Sequence, residues 1–327
     1  NKVYPVSLRP QGLEIIRTWA FYTIFRSLVL TGEPCFKDVL INGNVLGTDG
    51  KKMSKSAGNF EDPNALFAKY SADAIRQWAA LSGAFAKDRP FNYKDIEYSQ
   101  SFLNKLWNAG KFVQASTQDY DGKKVAYADL RATDKWVLSR LNQLVKKATK
   151  AMNEYDYYSA ITAIQGFVWH EFCDYYLEDV KYRTYGSDAK SKKSAQYALK
   201  TALLTSLKLL APFAPFVTDE IYREFSKKPK SIHQADWPAV EEEFINESVE
   251  NICAQLHSIL SKVRKFKATN QIALNEELES IQLRAKEVFI KELPLIEEEI
   301  KQVGKIRTIE PKEDDNAQEV IAEPRMA

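Results

Sequence analysis

Between residues 133 and 225, apolar side chains return every three or four positions through four successive stretches, a pattern with few solutions other than packed helices. The first stripe is Val137, Leu141, Leu144, Ala148 and Met152, behind a start at Thr133-Asp134. The second begins at Ser159 and carries Ile161, Ile164, Val168, Phe172 and Tyr175. The third covers about 191–210, with Leu199, Ala202, Leu203, Leu207 and Leu210, and Pro212 ends it. Pro215 opens a short fourth helix through Ile221, Tyr222 and Phe225. Side chains three and four apart share one helix face, so each stripe needs a partner, and short connections let neighbours supply it. The expected fold is therefore mainly α. Glycine and proline, 12 each in 327 residues, are too sparse for a many-turned β fold.

Upstream, residues 13–30 place Ile15, Ile16, Trp19, Tyr22, Ile24, Phe25 and Leu28 at helical spacing. Val39-Leu40-Ile41 reads as a short buried strand, Asn42-Gly43 as a turn, and Val45-Leu46-Gly47 as the return strand. This looks like the end of an α/β nucleotide-binding sheet, since residues 1–60 are too few for several βαβ units. Asp62-Pro63 and Ser71 start helices over 63–69 and 72–82; a loop spans 83–94, and a longer helix runs from Asp95 to Val113. Residues 116–131 form a polar connector. Beyond Trp237-Pro238 and the acidic stretch Glu241–Glu243, a helix continues to about Lys267. Alternation over 278–283, a helix over 285–303 and a strand over 306–309 predict a small β-α-β appendage, with the last 15 or so residues disordered. The resulting partition is 1–60, 61–115, 116–240 and 241–327.

Net charge is only +2, so any nucleic-acid partner must be held by local patches. Basic clusters fall at Lys146, Lys147 and Lys150, at Lys181 and Arg183, at Lys190, Lys192 and Lys193, at Lys227, Lys228 and Lys230, and at Lys262, Arg264, Lys265 and Lys267. Tyr155, Tyr157, Tyr158, Tyr182 and Tyr185 interleave with several of them. Lysines bind phosphate and aromatics stack unpaired bases, although one such cluster alone is commonly just a solvated face. Cys35, Cys173 and Cys253 lie far apart and supply neither a disulfide framework nor a zinc motif, which suits a reducing, cytoplasmic setting. No apolar run approaches the roughly 20 residues that span a bilayer. The opening residues lack a signal-peptide layout and a starting Met, so the chain is expected to be a piece of a longer protein.

Lys52-Met53-Ser54-Lys55-Ser56, between Gly50 and Gly58, carries the chemistry. Glycines allow a mobile loop, and two ammonium groups with two hydroxyls suit a triphosphate. The string resembles the second signature, KMSKS, of class I aminoacyl-tRNA synthetases. The segment Leu8 to Trp19 is similar to that family's G-x-[DE]-x4-W, and Asn104 to Ala109 to its NKLWNA. Glu171 to Glu178 resembles the F-C-D-W-Y-L-E signature of the anticodon-binding bundle, with Tyr175 where tryptophan is usual. Ala211 to Phe216, Ser231-Ile232-His233 and Trp237-Pro238 fit the bundle's end. The match covers about 10–240, and its wording is most similar to the valine-specific subgroup of archaeal type.

The resemblance implies a reaction in which ATP and valine give valyl-adenylate, and the acyl group then passes to tRNA(Val). Lys52 and Lys55 would stabilise charge growing on the phosphates, with Met53, Ser54 and Ser56 in the same ATP site. Gly12 and Glu14 match positions against the ATP ribose, and Trp19 the wall of the amino-acid pocket; the plainer readings are an acidic helix start and a core tryptophan. Mg²⁺ would arrive with the nucleotide, with no metal held by the protein itself. Lys146, Lys147, Lys150, Lys181 and Arg183 are the candidate tRNA contacts. The first signature, HIGH, is absent, because the three histidines His170, His233 and His257 stand in other contexts. The chain is thus expected to be a monomeric, catalytically incomplete C-terminal portion that keeps tRNA affinity and needs the missing N-terminal part. The alternatives are an isoleucine- or leucine-specific fragment, or a tRNA-binding helical protein without catalysis.

Overall fold

The computed structural model describes residues 4–83, 85–225, 230–315, 317 and 320–325. The expected clusters' Lys227 and Lys228 lie outside them. The first layer is a pair of parallel strands, β1 (Val6–Gly12) and β2 (Phe36–Asn42), with Gly12 opposite Asn42. They are joined by a 3-10 turn at Leu13–Ile15, a π-helical turn at Ile16–Ala20 and α1 (Phe21–Thr31), which ends on Gly32 at φ 76°. Strand β1 escaped the sequence reading because Pro10 and Gly12 interrupt its pattern. The expected strand at 39–41 exists, but Val39 is 36% exposed and not buried.

A second correction concerns β3 (Val45–Leu46), which does not return along β2. It pairs in parallel with β4 (Arg89–Pro90), inside the expected 83–94 loop. The intervening chain explains this. A Cβ on Gly43 would stand 1.9 Å from the Lys87 carbonyl oxygen, so only glycine lets the two backbones cross here. The Asn44 N–H donates to Asp88 Oδ1 (2.6 Å), which fixes the crossing. Between these strands lie α2 (Pro63–Lys69) and α3 (Ala72–Ser82), capped by Asp62 and Ser71 as their sequences require.

The helical body begins with α4 (Tyr93–Ser116) and continues through α5 (Ala132–Asn153), α6 (Tyr157–Gly166), α7 (Leu177–Thr184), α8 (Ala189–Leu210) and α9 (Pro215–Glu224). Then α10 (Glu247–Thr269) lies against α5. The apolar stripes meet as their periods demand: Ile161, Ile164, Phe172, Leu199, Leu203 and Leu207 are fully buried. Asp156, not Ser159, caps α6, its carboxylate accepting from the Ser159 N–H. The second stripe is also not a regular helix throughout. Residues Phe167–Tyr176 form a π-helical stretch in which the Leu177 N–H reaches back five residues to the Phe172 carbonyl.

The appendage comprises β5 (Leu278–Ala285), α11 (Glu287–Glu292), α12 (Glu297–Gly304), β6 (Ile306–Glu313) and β7 (Ile321–Arg325), in sheet order β6-β5-β7. The parallel pair β5–β6 matches the expected β-α-β unit. The single helix expected over 285–303 is broken by a 3-10 turn at Leu293–Leu295, where Pro294 lacks the N–H to continue the ladder. The tail expected to be disordered holds β7, antiparallel to β5. Its charged residues pair with the neighbouring strands, Arg325 with Glu310 and Glu323 with Arg284. Among the described residues no helix is long and apolar enough to cross a membrane.

Candidate functional site

The Lys/Ser loop leaves β3 through a turn in which the Gly47 N–H donates to the Lys51 carbonyl (2.8 Å). Gly50 and Gly58 adopt φ values of 73° and 70°, the left-handed conformation that their positions between β3 and α2 called for. Lys52 Nζ crosses to Glu14 in the 3-10 turn that follows β1, at 2.8 Å from Oε1. Asn44 Nδ2 donates to the other carboxylate oxygen at 3.2 Å. The Lys52 hydrogen bond and charge hold the Glu14 carboxyl below its ordinary value. Residues 38 positions apart, singled out separately in the sequence, therefore meet.

Met53 is half-buried against the core and anchors the middle of the loop. Ser54 and Ser56 face each other with hydroxyls 3.3 Å apart, and Lys55 lies over the Phe60 ring (5.8 Å). At Gly12 a Cβ would meet nothing within 4 Å, so the protein's own packing does not require glycine there. Trp19 is 39% exposed, stacked on Phe36 (6.1 Å) and covered by the Arg9 guanidinium (3.8 Å). It is neither a core tryptophan nor a closed pocket wall in this arrangement.

Asn44, Asp49 and Asn59 escaped the sequence reading. Asn44 orients Glu14, while Asn59 bonds to both arms of the loop. Their signal was local: Gly43-Asn44, Asp49-Gly50 and Gly58-Asn59 are turn dipeptides whose side chains commonly bond nearby backbone.

The candidate RNA contacts separate into three groups. Lys146, Lys147 and Lys150 are exposed and line a groove of about 810 Å³ between α5 and α6, together with Tyr158, Arg140 and Gly166. Lys181 is exposed and paired within its own helix to Glu178. Arg183 is a correction: it is 2% exposed and forms a two-pronged pair with Asp134 (2.8 and 2.6 Å). Burial would push the Asp134 carboxyl up, but the Arg183 charge and bonds from Arg183, Ser194 and Tyr176 hold it below its usual value. Arg183 thus joins α5 to α7 and cannot reach a phosphate. The Lys190, Lys192 and Lys193 cluster forms solvent-accessible pairs with Asp129, Asp119 and Asp121 at 2.6–2.8 Å, as Lys146 does with Glu242 at 3.2 Å.

Comparison with known proteins gives this geometry a family. Residues 1–92 match the family model described as tRNA synthetases class I (I, L, M and V), and residues 134–283 that of the anticodon-binding domain of tRNA ligase. The chain is 41% identical over 310 residues to a valine–tRNA ligase of Pyrococcus horikoshii, a match covering 94% of this chain and 35% of that protein. It is 44% identical over 280 residues to the valine–tRNA ligase of Archaeoglobus fulgidus, covering 86% and 32%. The chain thus spans about a third of the length of the curated relatives it matches. Among solved structures, a LeuRS of Agrobacterium radiobacter K84, in a ternary complex with tRNA and LeuAMS, shares the fold at 20% identity with TM-score 0.63, covering 75% of this chain and 30% of that one. A methionyl-tRNA synthetase of Mycobacterium tuberculosis, in complex with methionyl-adenylate, does so at 20% identity with TM-score 0.56, covering 67% and 44%. The chain belongs to the class I aminoacyl-tRNA synthetase family.

Proposed function

We propose that this chain is part of a valine–tRNA ligase, contributing one half of the adenylation site and the tRNA-binding bundle. The observation that carries the reading is the meeting of Lys52 with Glu14 at 2.8 Å, because it assembles two family motifs into one site. Residues 1–60 are then the end of a Rossmann-like catalytic domain, 61–115 a connecting region, 116–240 the anticodon-binding bundle and 241–327 a C-terminal helix with a small β-α-β appendage and tail. Phe21, Phe25, Val29 and Leu30 on α1 are 54–81% exposed, an apolar face that suits a remainder of the catalytic domain packed over it.

In this reading valine's carboxylate attacks the α-phosphorus of ATP, and pyrophosphate leaves. Glu14 accepts from the ribose hydroxyls, and the open face at Gly12 lets the nucleotide approach. Lys52, released from Glu14 as the ribose takes its place, turns to the phosphates with Lys55, where both stabilise the growing charge. Ser54 and Ser56 add hydrogen bonds, and Met53 anchors the loop. Mg²⁺ accompanies the phosphates. Trp19, flat and half-open, walls the valine side chain. Lys146, Lys147 and Lys150, with Tyr158 beside them, take the tRNA backbone and an unpaired base in their groove, and Lys181 adds a phosphate contact.

Two measurements test this. The full-length enzyme should exchange pyrophosphate in a valine-dependent manner, and dominant turnover of isoleucine would reverse the assignment. The triple change Lys146→Ala, Lys147→Ala and Lys150→Ala should weaken tRNA(Val) binding and reduce the slope of log affinity against log salt by about 2–3, at about 0.7–0.9 per lost phosphate contact. An unchanged slope would remove the groove from the RNA path.

A further inference from the structure

Asn59 makes contacts across the Lys/Ser loop from its far end. Its Oδ1 accepts the Ser54 N–H at 2.9 Å. Its Nδ2 lies 3.2 Å from Asp49 Oδ1 and 3.3 Å from the Lys52 carbonyl oxygen. Those partners fix which way the amide faces, since the reverse would set its oxygen against a carboxylate and a carbonyl. Asp49 is in turn held by the Lys51 N–H at 3.0 Å. One small network therefore joins the arm entering the loop to the arm leaving it.

Gly47 is an independent sign that this closure is built in. A Cβ there would stand 2.7 Å from Asp49 Oδ1 and 3.0 Å from Asn59 Nδ2, so the residue's smallness makes room for the pair. Gly50 and Gly58, both at positive φ, flank the lysines and serines. Glycines in such positions leave the intervening chain free to move unless something outside it holds its ends. The two Asn59 contacts inside the loop fall on Lys52 and Ser54, the residues whose side chains face Glu14 and Ser56.

We propose that Asn59, clasped to Asp49, is a positioning residue for the ATP-dependent step: it sets the backbone at Lys52 and Ser54 so that their side chains meet the nucleotide. This rests on the adenylation reading above. Asn59 acts through the loop and needs no contact with substrate itself.

The test uses the full-length enzyme and two readouts, valine-dependent pyrophosphate exchange and amide hydrogen exchange over 47–59. Asn59→Ala should lower kcat about 100-fold, the scale of a misplaced catalytic group, with KM for valine within about twofold and faster exchange at the Ser54 amide. Asn59→Asp should lose as much, because it sets two carboxylates together. A purely structural role would move the melting midpoint and leave kcat per folded enzyme and exchange at the Ser54 amide unchanged. The proposal is overturned if Asn59→Ala keeps kcat within about twofold of the wild-type value, or if it lowers kcat while the Ser54 amide exchanges at the wild-type rate. Absence of valine-dependent exchange in the wild type would instead overturn the adenylation reading, and this inference with it.

Discussion

Arg183 and Lys181 are two residues apart, and only one reaches solvent. On a helix, positions i and i+2 point to nearly opposite faces, so a pair that reads as one basic cluster is split by geometry. Lys181 stays outside with Glu178, while Arg183 turns inward to Asp134, Thr133 and Ser191. Asp134→Asn would leave the guanidinium buried without its counter-charge and should destabilise the fold by about 3–5 kcal/mol in urea unfolding. Lys181→Ala should stay within about 0.5 kcal/mol of wild type. The pH dependence follows from Asp134's lowered folded value. Its contribution is present above the ordinary 3.8 and is lost as pH falls through the still lower folded value. Wild-type stability should therefore fall more steeply on acidification in that range than that of Asp134→Asn. In the Lys/Ser loop, residue identity alone disclosed the lysines and serines, because their chemistry is in their side chains. Asn44 and Asn59 stayed hidden because their importance is in what stands opposite them.

Elements followed the local sequence closely wherever one physical rule acted alone. Caps at Asp62 and Ser71, the stop before Pro212 and the start at Pro215 are settled within a turn of chain. The misread elements depended on a second segment. Strand β3 pairs with β4 because Asp88 and Lys87 cross over Gly43, more than 40 residues further along the chain. The wide turn Phe167–Tyr176 leaves no mark on the apolar period, since the same side chains still face the core. Close approach is decisive again where α4 meets α9. A Cβ on Gly110 would lie 2.9 Å from Ile221 Cγ2, and Ile221 is itself buried. Gly110→Ala should cost about 1–3 kcal/mol by overpacking, read as a lowered urea midpoint with unchanged slope.

Across the whole molecule, the appendage is joined to the bundle through a buried cation. Lys267, at the end of α10, is 1% exposed, and its ammonium donates to the carbonyls of Leu274 (3.0 Å), Glu276 (2.7 Å) and Gly304 (3.0 Å). Burial lowers its pKa from the ordinary value. The sequence placed Lys267 in a surface cluster with Lys262, Arg264 and Lys265, yet helical rotation sends it inward to the ends of two other segments. Lys267→Met should leave three carbonyls without a donor and cost about 2–3 kcal/mol. Amide exchange should accelerate over 278–313 first, and equal acceleration in α5 and α8 would show that the appendage and bundle open as one unit. What the sequence determined by itself was the helical class, most caps and breaks, and the family motifs, because periodicity, capping chemistry and motif wording act over a few residues. Only the tertiary structure decided which charges face water, which strands pair, and how Glu14, Lys52 and Asn59 converge. Those outcomes turn on distances between residues far apart in the chain, and on the cost of burying a charge or fitting a Cβ where they meet.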